Sequence, residues 1–419
     1  MKTISILETP VTKEAFSARE PIRVCMHYAH KTDARVMRDA TALAEAGYIV
    51  TIIDFESDRT RPAEEDIGGV HFKHIFMPSY FVPARFKPWF LVKLVIVMVY
   101  GAIQLLRVQA DIYHAHVERA LPACYIAARL RGKPFIIDMP ELNLSDPRYA
   151  RWSILSILAR HLIRHMVSYS SGYITASPLY PQEFARLYGA KDVTFIRNVP
   201  PYRAVTKSNQ LHRRLGLDLH VRIALYQGYL QPDRGLHLLV QAAPFLEKDI
   251  VIVMLGQGVE ETLALLQSLI ESERVADRVK ILPPVPYGEL LDWTASADIG
   301  LSVLPPDHSL SIRKCLPNKF FEYLMAGLPV LSSELDAIAE VIKTYDVGKI
   351  APSLAPQDLA AAINEMLADR DGLARMSANA LAVARQEFYW EKESEKLLHL
   401  YEEILSKQKP KHAYSSYSV

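Results

Sequence analysis

Short runs of β-branched and aromatic residues alternate along the chain with longer segments whose apolar positions recur at helical spacing. In the first half, the strand-like runs are 22–26, 48–54, 70–75, 111–115, 134–138, 172–176 and 193–197. In the second half, they are 221–227, 249–255, 278–283, 298–304 and 328–333. Strands that alternate with helices form parallel sheets joined by right-handed crossovers. The pattern therefore predicts an α/β protein with two doubly wound domains rather than one very wide sheet.

The periodicity breaks at residues 198–210, where prolines and a polar stretch interrupt it. We therefore expect an N-terminal domain over 1–198 and a C-terminal domain over 199–389. The segment 390–407 has apolar residues at helical spacing and predicts a separate amphipathic helix. The last residues, 408–419, form a polar tail.

Composition and charge narrow the class of protein. The chain has 419 residues, of which 50% are hydrophobic and 23% charged, so it folds and has room for two or three domains. Residues 1–200 hold 25 Lys and Arg against 19 Asp and Glu, and the remainder holds 23 against 28. Neither excess is large enough to predict nucleic-acid binding. Three distant cysteines fit no disulfide framework, and no signal peptide is visible, so we expect a cytoplasmic protein.

Two segments of the first half are unusually apolar. Residues 89–106 contain only Lys93 and Gln104 as strongly polar members, and they are just long enough to span a bilayer. We expect instead a helix buried against a sheet, because strand-like runs flank the segment on both sides. Residues 148–166 interleave arginines with large apolar residues, which is typical of a membrane-surface helix or of a helix with one buried face.

The most informative stretch is 315–333, which reads CLPNKFFEYLMAGLPVLSS. Pro317 suits the first turn of a helix, whose free N–H groups and dipole favour phosphate. Lys319 adds a positive charge in the same turn. Glu322 shares that face, where its carboxylate is suited to bind a pair of ribose hydroxyls. The alternative is that Lys319 and Glu322 form a surface ion pair.

Two further turns follow strand-like runs in the second half. One strand ends at Gly228, and a helix begins around Gly235 with Arg234 beside its N-terminus. Arg234 is suited to a second phosphate, which would complete a two-sided clamp for a diphosphate. The turn at Gly256 lacks the third glycine of the dinucleotide fingerprint. It therefore indicates a tight turn beside a nucleotide rather than an NAD site.

Two histidines, His114 and His116, lie in the run DIYHAHVERALPA. From the alternation of side chains along a strand we expect them to face opposite sides of the sheet, so that they cannot easily ligate one metal ion. We expect one to lie in the core and the other to point into a cleft. His116 is the better cleft candidate because it is nearer the carboxyl end of the strand.

Together these motifs resemble family 4 of the glycosyltransferases, a large retaining family that uses nucleotide sugars. The resemblance covers residues 22–405 and is carried by ADIYHAH, by YQGYLQPDRGLHLLVQA, by LPNKFFEYLMAGLPVLSS and by FYWEKESEKLLHLYEEI. It implies the GT-B architecture, in which two Rossmann-like domains with parallel sheets face each other across a cleft. The N-terminal domain would bind the acceptor, the C-terminal domain would bind the nucleotide sugar, and the last helix would cross back onto the N-terminal domain.

The resemblance also implies a reaction and the residues that perform it. A sugar moves from a nucleoside-diphosphate sugar to a saccharide or lipid-linked saccharide with retention, and the leaving phosphate takes the acceptor's proton. No metal or other cofactor is required. The implied catalytic residues are His116, Arg234, Lys319 and Glu322, and the implied donor-binding residues are Gly228, Tyr229, Arg234, Gly256, Val285, Pro317, Asn318, Lys319 and Glu322. Because related enzymes often modify lipid-linked acceptors, we predict salt-sensitive, peripheral binding of the N-terminal domain to the cytoplasmic face of anionic membranes.

The sequence departs from the family pattern at several positions. Lys314 stands where a glutamate is common, Tyr229 and Arg234 replace an arginine and a lysine, and Val117 follows His116 in place of an aspartate. Asp138-Met139-Pro140-Glu141 replaces a common Asp-Ala-His-Glu, and a glycine pair after the first strand is missing. These changes motivate one alternative, a degenerate protein that binds a nucleotide or a partner without transferring sugar. A second alternative is a sugar-nucleotide epimerase, which shares the GT-B fold.

Overall fold

The computed structural model describes residues 21–77, 87–142 and 153–408. The strands are β1 (Arg23–Tyr28), β2 (Ile49–Glu56), β3 (Glu64–Ile67), β4 (Val70–Phe76), β5 (Ile112–His116), β6 (Phe135–Asp138), β7 (Gly172–Thr175), β8 (Val193–Phe195), β9 (Arg222–Gln227), β10 (Ile250–Leu255), β11 (Val279–Leu282), β12 (Ile299–Ser302), β13 (Val330–Ser332) and β14 (Gly348–Ile350). The α-helices are α1 (Ala34–Glu45), α2 (Lys87–Arg107), α3 (Val117–Arg131), α4 (Ser153–Val167), α5 (Tyr180–Tyr188), α6 (Gln210–Leu215), α7 (Leu236–Ala242), α8 (Glu260–Ser272), α9 (Tyr287–Thr294), α10 (Leu310–Lys314), α11 (Asn318–Met325), α12 (Asp336–Tyr345), α13 (Pro356–Ala368), α14 (Arg370–Gln386) and α15 (Trp390–Lys407). Short 3-10 turns lie at Pro232–Arg234 and Ala243–Phe245.

The strands form two sheets, as the alternating pattern predicts. The first sheet has the order β3-β4-β2-β1-β5-β6-β7-β8 and the second the order β11-β10-β9-β12-β13-β14. All neighbouring strands are parallel except the hairpin of β3 and β4. The prediction of an α/β protein with two doubly wound parallel sheets is confirmed. The domain boundaries stay a prediction.

Both faces of the first sheet are covered. One face carries α1 and α15, whose apolar side chains share a core with Val24, Ile52 and Ile112. The other face carries α2 to α5, which pack against Cys25, Ile53 and other residues of alternate register. Strands buried on both faces read as nearly continuous apolar runs, and β10, with the sequence IVIVML and every residue buried, is the clearest case.

The last helix, α15, packs on the first domain although it follows the second in sequence. The Tyr401 hydroxyl lies 2.8 Å from His114 Nδ1, in the middle of the first sheet. Glu393 is buried and accepts hydrogen bonds from the backbone and the guanidinium of Arg197, at 2.8 and 2.7 Å. A Cβ built on Gly172 would lie about 3.1 Å from α15 side chains. The helix therefore ties the end of the chain to the sheet that begins it.

Helix α2 is not buried against the sheet as we expected, because only one of its sides is covered. Gly101 approaches His27 and Ala123 closely, and Val97 and Leu105 are buried there. The opposite side exposes a row of large apolar residues, with exposed fractions from 41% at Tyr100 to 56% at Val95: Trp89, Val92, Val95, Ile96, Val99, Tyr100 and Ile103. Among the described residues, no helix combines the length and the hydrophobicity that a bilayer span requires.

The arginine-containing segment that we expected at 148–166 forms α4 over Ser153–Val167, and residues 148–152 lie outside the described residues. Leu158 and Leu162 are 65% and 48% exposed, while Ile163 and Met166 are buried. The exposed side also carries Arg164. Helix α4 packs against α3, which in turn packs against α2, so the exposed apolar residues of α2 and α4 belong to one layer of the domain.

Candidate functional site

A cavity of about 670 Å³ lies between the two domains. It opens at the carboxyl ends of β1, β5, β6 and β7 in the first sheet and of β9 and β12 in the second, which is where open α/β sheets bind ligands. Its size lies within the range of about 300–1,000 Å³ that is typical of small-molecule sites. The second domain contributes residues from the loops after β9 and β12 and from α9 and α11. The first domain contributes Tyr28, Asp33, Arg35, Val117, Pro140, Glu141, Ala176, Tyr180 and Asn198.

Lys319 places a shielded amine with a lowered pKa at this cavity. It lies in the first turn of α11, and its Nζ is buried without a hydrogen-bond partner among the described residues. The ammonium lies 3.6 Å from the centre of the Tyr226 ring. Burial and then the nearby charge of Arg234 lower the pKa of Lys319 well below its ordinary value. Such an amine is suited to a bound anion, which would supply the missing partner.

Pro317 precedes α11 rather than lying in its first turn, which corrects our expectation. Its φ of −73° and ψ of 148° are extended, and the helix begins at Asn318. Pro317 and Asn318 both line the cavity. The free N–H groups of the first helical turn therefore lie at the cavity, next to Lys319.

Glu322 lies one turn further along α11 and is only 7% exposed. Its Oε2 accepts a hydrogen bond of 2.6 Å from Gln227 Nε2, and Gln227 Oε1 accepts one of 2.6 Å from Thr294. Burial raises the pKa of the Glu322 carboxyl group. Glu322 is buried, and Lys319 is half-buried with its Nζ shielded from solvent. The two side chains make no ion pair with each other, so the alternative of a surface ion pair is wrong.

Two glycines let the loops after β9 and β10 touch. Gly256 has a φ of +156°, and a Cβ at this position would lie 1.9 Å from the carbonyl oxygen of Gly228. Gly228 has a φ of +125° and lies over Lys319, whose Nζ would be 3.8 Å from an added Cβ. Gly228 therefore lines the cavity, and Gly256 supports it from behind without lining it.

Arg234 and Tyr229 complete the wall that the second domain contributes. Arg234 ends a 3-10 turn, with its Nε 3.7 Å from Asp233 Oδ1. Tyr229 is 48% exposed. The structure thus brings seven of the expected site residues to one cavity: Gly228, Tyr229, Arg234, Pro317, Asn318, Lys319 and Glu322. Val285 does not line the cavity but packs at half exposure against the core.

The expectation that His114 and His116 face opposite sides is wrong. Residues two apart on a strand share a face. Their rings stack at a centroid distance of 4.2 Å, beneath α15. His116 is 2% exposed and does not line the cavity, whereas the next residue, Val117, does so with a φ of +62°. His116 Nδ1 lies 3.2 Å from Asp138 Oδ2, so the histidine lies behind the cavity wall.

Arg35 is one of several cavity residues that the sequence pattern does not predict. It projects from α1 and donates two hydrogen bonds to Asp138, of 2.8 and 3.0 Å. Asp39, one turn further along α1, is buried with no hydrogen-bond partner for either carboxylate oxygen in the described part of the chain. Burial raises the pKa of Asp39 to about 6. Two charged residues four apart on the buried side of a predicted helix were the available signal.

His114, His116 and Asp138 lie close enough together to hold a metal ion, since their ligand atoms are all within 4.8 Å of one another. Both oxygens of Asp138 already accept hydrogen bonds from Arg35, however, and the guanidinium charge opposes a cation there. The donor set therefore fits a metal poorly. That the reaction needs no metal stays a prediction.

Asp33 also lines the cavity on the first domain, and both of its carboxylate oxygens accept hydrogen bonds from neighbouring residues. Its Oδ1 accepts hydrogen bonds from the backbone N–H groups of Arg35 and Val36, at 2.9 and 3.1 Å, and so caps α1. Its Oδ2 accepts one of 3.1 Å from the Tyr28 hydroxyl. The N-terminus of α1 is thus already paired with a carboxylate, unlike that of α11.

Comparison with known proteins gives consistent results for both halves of the chain. Residues 35–199 match the family model "Glycosyltransferase Family 4", and residues 207–383 match "Glycosyl transferases group 1". The D-inositol 3-phosphate glycosyltransferase of Xylanimonas cellulosilytica is 27% identical over 315 residues, which are 72% of this chain and 73% of that protein. The enzyme of the same name from Thermobispora bispora is 28% identical over 71% of each chain.

Solved structures share the fold. Sucrose-phosphate synthase from Thermosynechococcus elongatus superposes with a TM-score of 0.76 at 16% identity, covering 92% of this chain and 100% of that one. An Anabaena protein, HepE, solved in complex with UDP-glucose, gives a TM-score of 0.72 at 16% identity, over 91% of this chain and 100% of that one.

Proposed function

Because the chain belongs to glycosyltransferase family 4, we propose that it moves a sugar from a nucleoside-diphosphate sugar to an acceptor hydroxyl with retention at the anomeric carbon. The second domain binds the donor and the first presents the acceptor. The bond from the anomeric carbon to the acceptor oxygen forms on the face from which the diphosphate leaves. The departing phosphate oxygen takes the acceptor's proton, and the nucleoside diphosphate is released.

The observation that carries this proposal is the buried Nζ of Lys319, which has no hydrogen-bond partner in the described part of the chain. It lies in the first turn of α11, and the guanidinium of Arg234 lines the same cavity. A diphosphate offers oxygens to both cations and to the free N–H groups of the helix. Negative charge on the diphosphate grows as the sugar departs. Fixed positive groups therefore stabilise the transition state more than the bound donor, without a divalent ion.

Glu322 supports the nucleoside end of the same ligand. One carboxylate oxygen accepts the hydrogen bond from Gln227, which fixes the orientation of the side chain. The other oxygen is available to accept hydrogen bonds from ribose hydroxyls at the cavity. The proposed role of His116 is indirect, because the ring is buried behind Val117 and hydrogen-bonds Asp138.

A turnover assay with a panel of nucleotide sugars and saccharide acceptors tests the proposal, with mass spectrometry of the products. Transfer of a sugar with an unchanged anomeric configuration, in the presence of a chelator, is the expected result. Nucleotide binding without transfer to any acceptor would favour the degenerate binding protein. Conversion of the nucleotide sugar without an acceptor would favour the epimerase.

We also propose that the first domain binds the cytoplasmic face of anionic membranes, where the protein would take part in polysaccharide or glycolipid assembly. The exposed apolar residues of α2 and α4 support this, together with Arg164 among the exposed residues of α4. Flotation with anionic vesicles at low salt, and release at high salt, is the expected result. Failure to float at low salt would refute membrane binding, and flotation that survives carbonate would point to insertion.

A further inference from the structure

The two domains touch at the edge of the cavity, through α10. Lys314 Nζ lies 2.7 Å from Glu183 Oε1 on α5 of the first domain. The Tyr180 hydroxyl donates a hydrogen bond of 2.8 Å to the carbonyl of Ser311, and the Ser177 hydroxyl donates one of 2.5 Å to the carbonyl of Lys314. These contacts join the helix before the donor site to the wall that we assign to the acceptor.

Helix α10 is directly connected to the donor site. Only residues 315–317 separate it from α11, and all three line the cavity. A shift of α10 relative to the first domain therefore moves the first turn of α11, and Lys319 with it. Lys314 itself does not line the cavity, because its side chain turns toward Glu183.

We propose that Lys314 is a positioning residue, and that its ion pair with Glu183 holds the first turn of α11 at the distance from the acceptor wall that sugar transfer requires. This inference rests on the proposed transferase activity. At the position where the sequence resemblance implies a carboxylate, this chain carries a cation that binds the opposite domain instead of the donor.

The ion pair of Lys314 and Glu183 is largely shielded from solvent, so its charges interact more strongly than those of an exposed pair. The side chains of Lys314 and Glu183 are 20% and 14% exposed. The hydrogen bond from Lys314 lowers the pKa of Glu183, and Arg186 contributes in the same direction. Charged pairs that are exposed to water contribute little, whereas desolvated pairs across an interface discriminate strongly between like and unlike charges. Reversing one charge should therefore separate the domains, and reversing both should bring them together again.

The test is a charge exchange. We expect Glu183→Lys and Lys314→Glu each to lower kcat/KM for transfer by about tenfold or more, while nucleotide affinity measured by calorimetry changes by less than about twofold. The double variant should recover most of the activity. The matched control is the pair Lys349 and Glu365, which lies wholly in the second domain with the same residue types and the same distance of 2.7 Å. Its charge reversals should leave transfer unchanged.

Small-angle scattering supplies a readout that does not depend on activity. The single variants should have a larger radius of gyration than the wild type, and the double variant should match the wild type. Normal transfer and normal scattering in the single variants would overturn the inference. Losses that the double variant does not recover would show that the two residues act separately, and would overturn it as well. If the wild type transfers no sugar, the scattering result still decides whether the pair positions the domains, and only the proposed function fails.

Discussion

Replacing Lys319 by methionine should stabilise the free protein and disable the loaded one. The substitution keeps most of the side-chain volume and removes an ammonium that is buried without a hydrogen-bond partner among the described residues. A buried unsatisfied polar group costs about 1–3 kcal/mol, and the contact with the Tyr226 ring offsets about 0.5–2 kcal/mol of that. For a domain of about 150–250 residues, 1 kcal/mol shifts the Tm by about 2–4 °C. We therefore expect Lys319→Met to raise the Tm of the free protein by a few degrees.

The same substitution should remove the response to nucleotide. A nucleoside diphosphate should stabilise the wild type through Lys319 and should stabilise Lys319→Met much less. Loss of one preorganised donor to developing charge typically lowers kcat by about 10²–10³. Differential scanning fluorimetry with and without UDP or GDP measures the first effect, and initial rates measure the second. Lys349→Met, in the second domain but on its surface, is the control and should change neither.

The pH dependence of folding stability tests whether the pKa of Lys319 is lowered in the folded state. Because the pKa of Lys319 is lowered in the folded state, the unfolded chain binds more protons in the interval below the ordinary value of 10.5. Stability of the free protein should therefore rise with pH through that interval, and Lys319→Met should remove this contribution. A variant with an unchanged Tm, an unchanged nucleotide response and normal rates would refute the assignment of Lys319 to the diphosphate.

Three further predictions test the rest of the cavity. Glu322→Gln should keep the fold and weaken nucleotide binding by roughly 10- to 150-fold, measured by calorimetry, since a hydrogen bond to a charged group contributes about 1.5–3 kcal/mol; unchanged affinity would exclude a ribose contact. Gly256→Ala should lower both the Tm and nucleotide affinity, because its Cβ would meet the Gly228 carbonyl at 1.9 Å, whereas Gly132→Ala, with a φ of +62° and nothing within 4 Å, should lower the Tm less and spare binding. Because the pKa of Asp39 is raised on folding, the wild-type protein should lose stability as the pH rises from 4 to 6. Asp39→Asn should remove that loss in urea titrations, and an unchanged pH profile would contradict the raised pKa.

The sequence predicts those parts of the fold that burial alone specifies. Buried parallel strands such as β10 are continuous apolar runs, so periodicity finds them. Two strands of the described fold escape the pattern. β3 has the sequence EEDI and is held at the sheet edge by its hairpin with β4, and β14 is the three-residue GKI. Their pairing comes from neighbours and not from their own hydrophobicity.

The residues of the site also fall into two groups, those that local sequence spacing places together and those that only tertiary contacts bring together. Lys319 and Glu322 are near each other in sequence at one helix N-terminus, so spacing alone places them together. Arg35 reaches the cavity because α1 packs on β2 and α15 and because Asp138, at the end of β6, fixes its guanidinium. No local pattern contains that contact. The histidine error has a different origin. Side chains two apart on a strand lie on the same face, and correct use of that period would have placed His114 and His116 together.

The two walls of the cavity differ in how their charges are satisfied, and this difference decides where each mutation acts. On the first domain, the guanidinium of Arg35 is paired with Asp138, and Asp33 is occupied by the α1 N-terminus and Tyr28. Substitutions there break contacts that exist in the free protein and should appear mainly in stability. On the second domain, Lys319 contacts the Tyr226 ring but has no hydrogen-bond partner among the residues that the structure describes. Removing the Lys319 side-chain charge should therefore stabilise the free protein and weaken the bound complex. A buried charge without a hydrogen-bond partner is costly in the free protein and is available to a ligand.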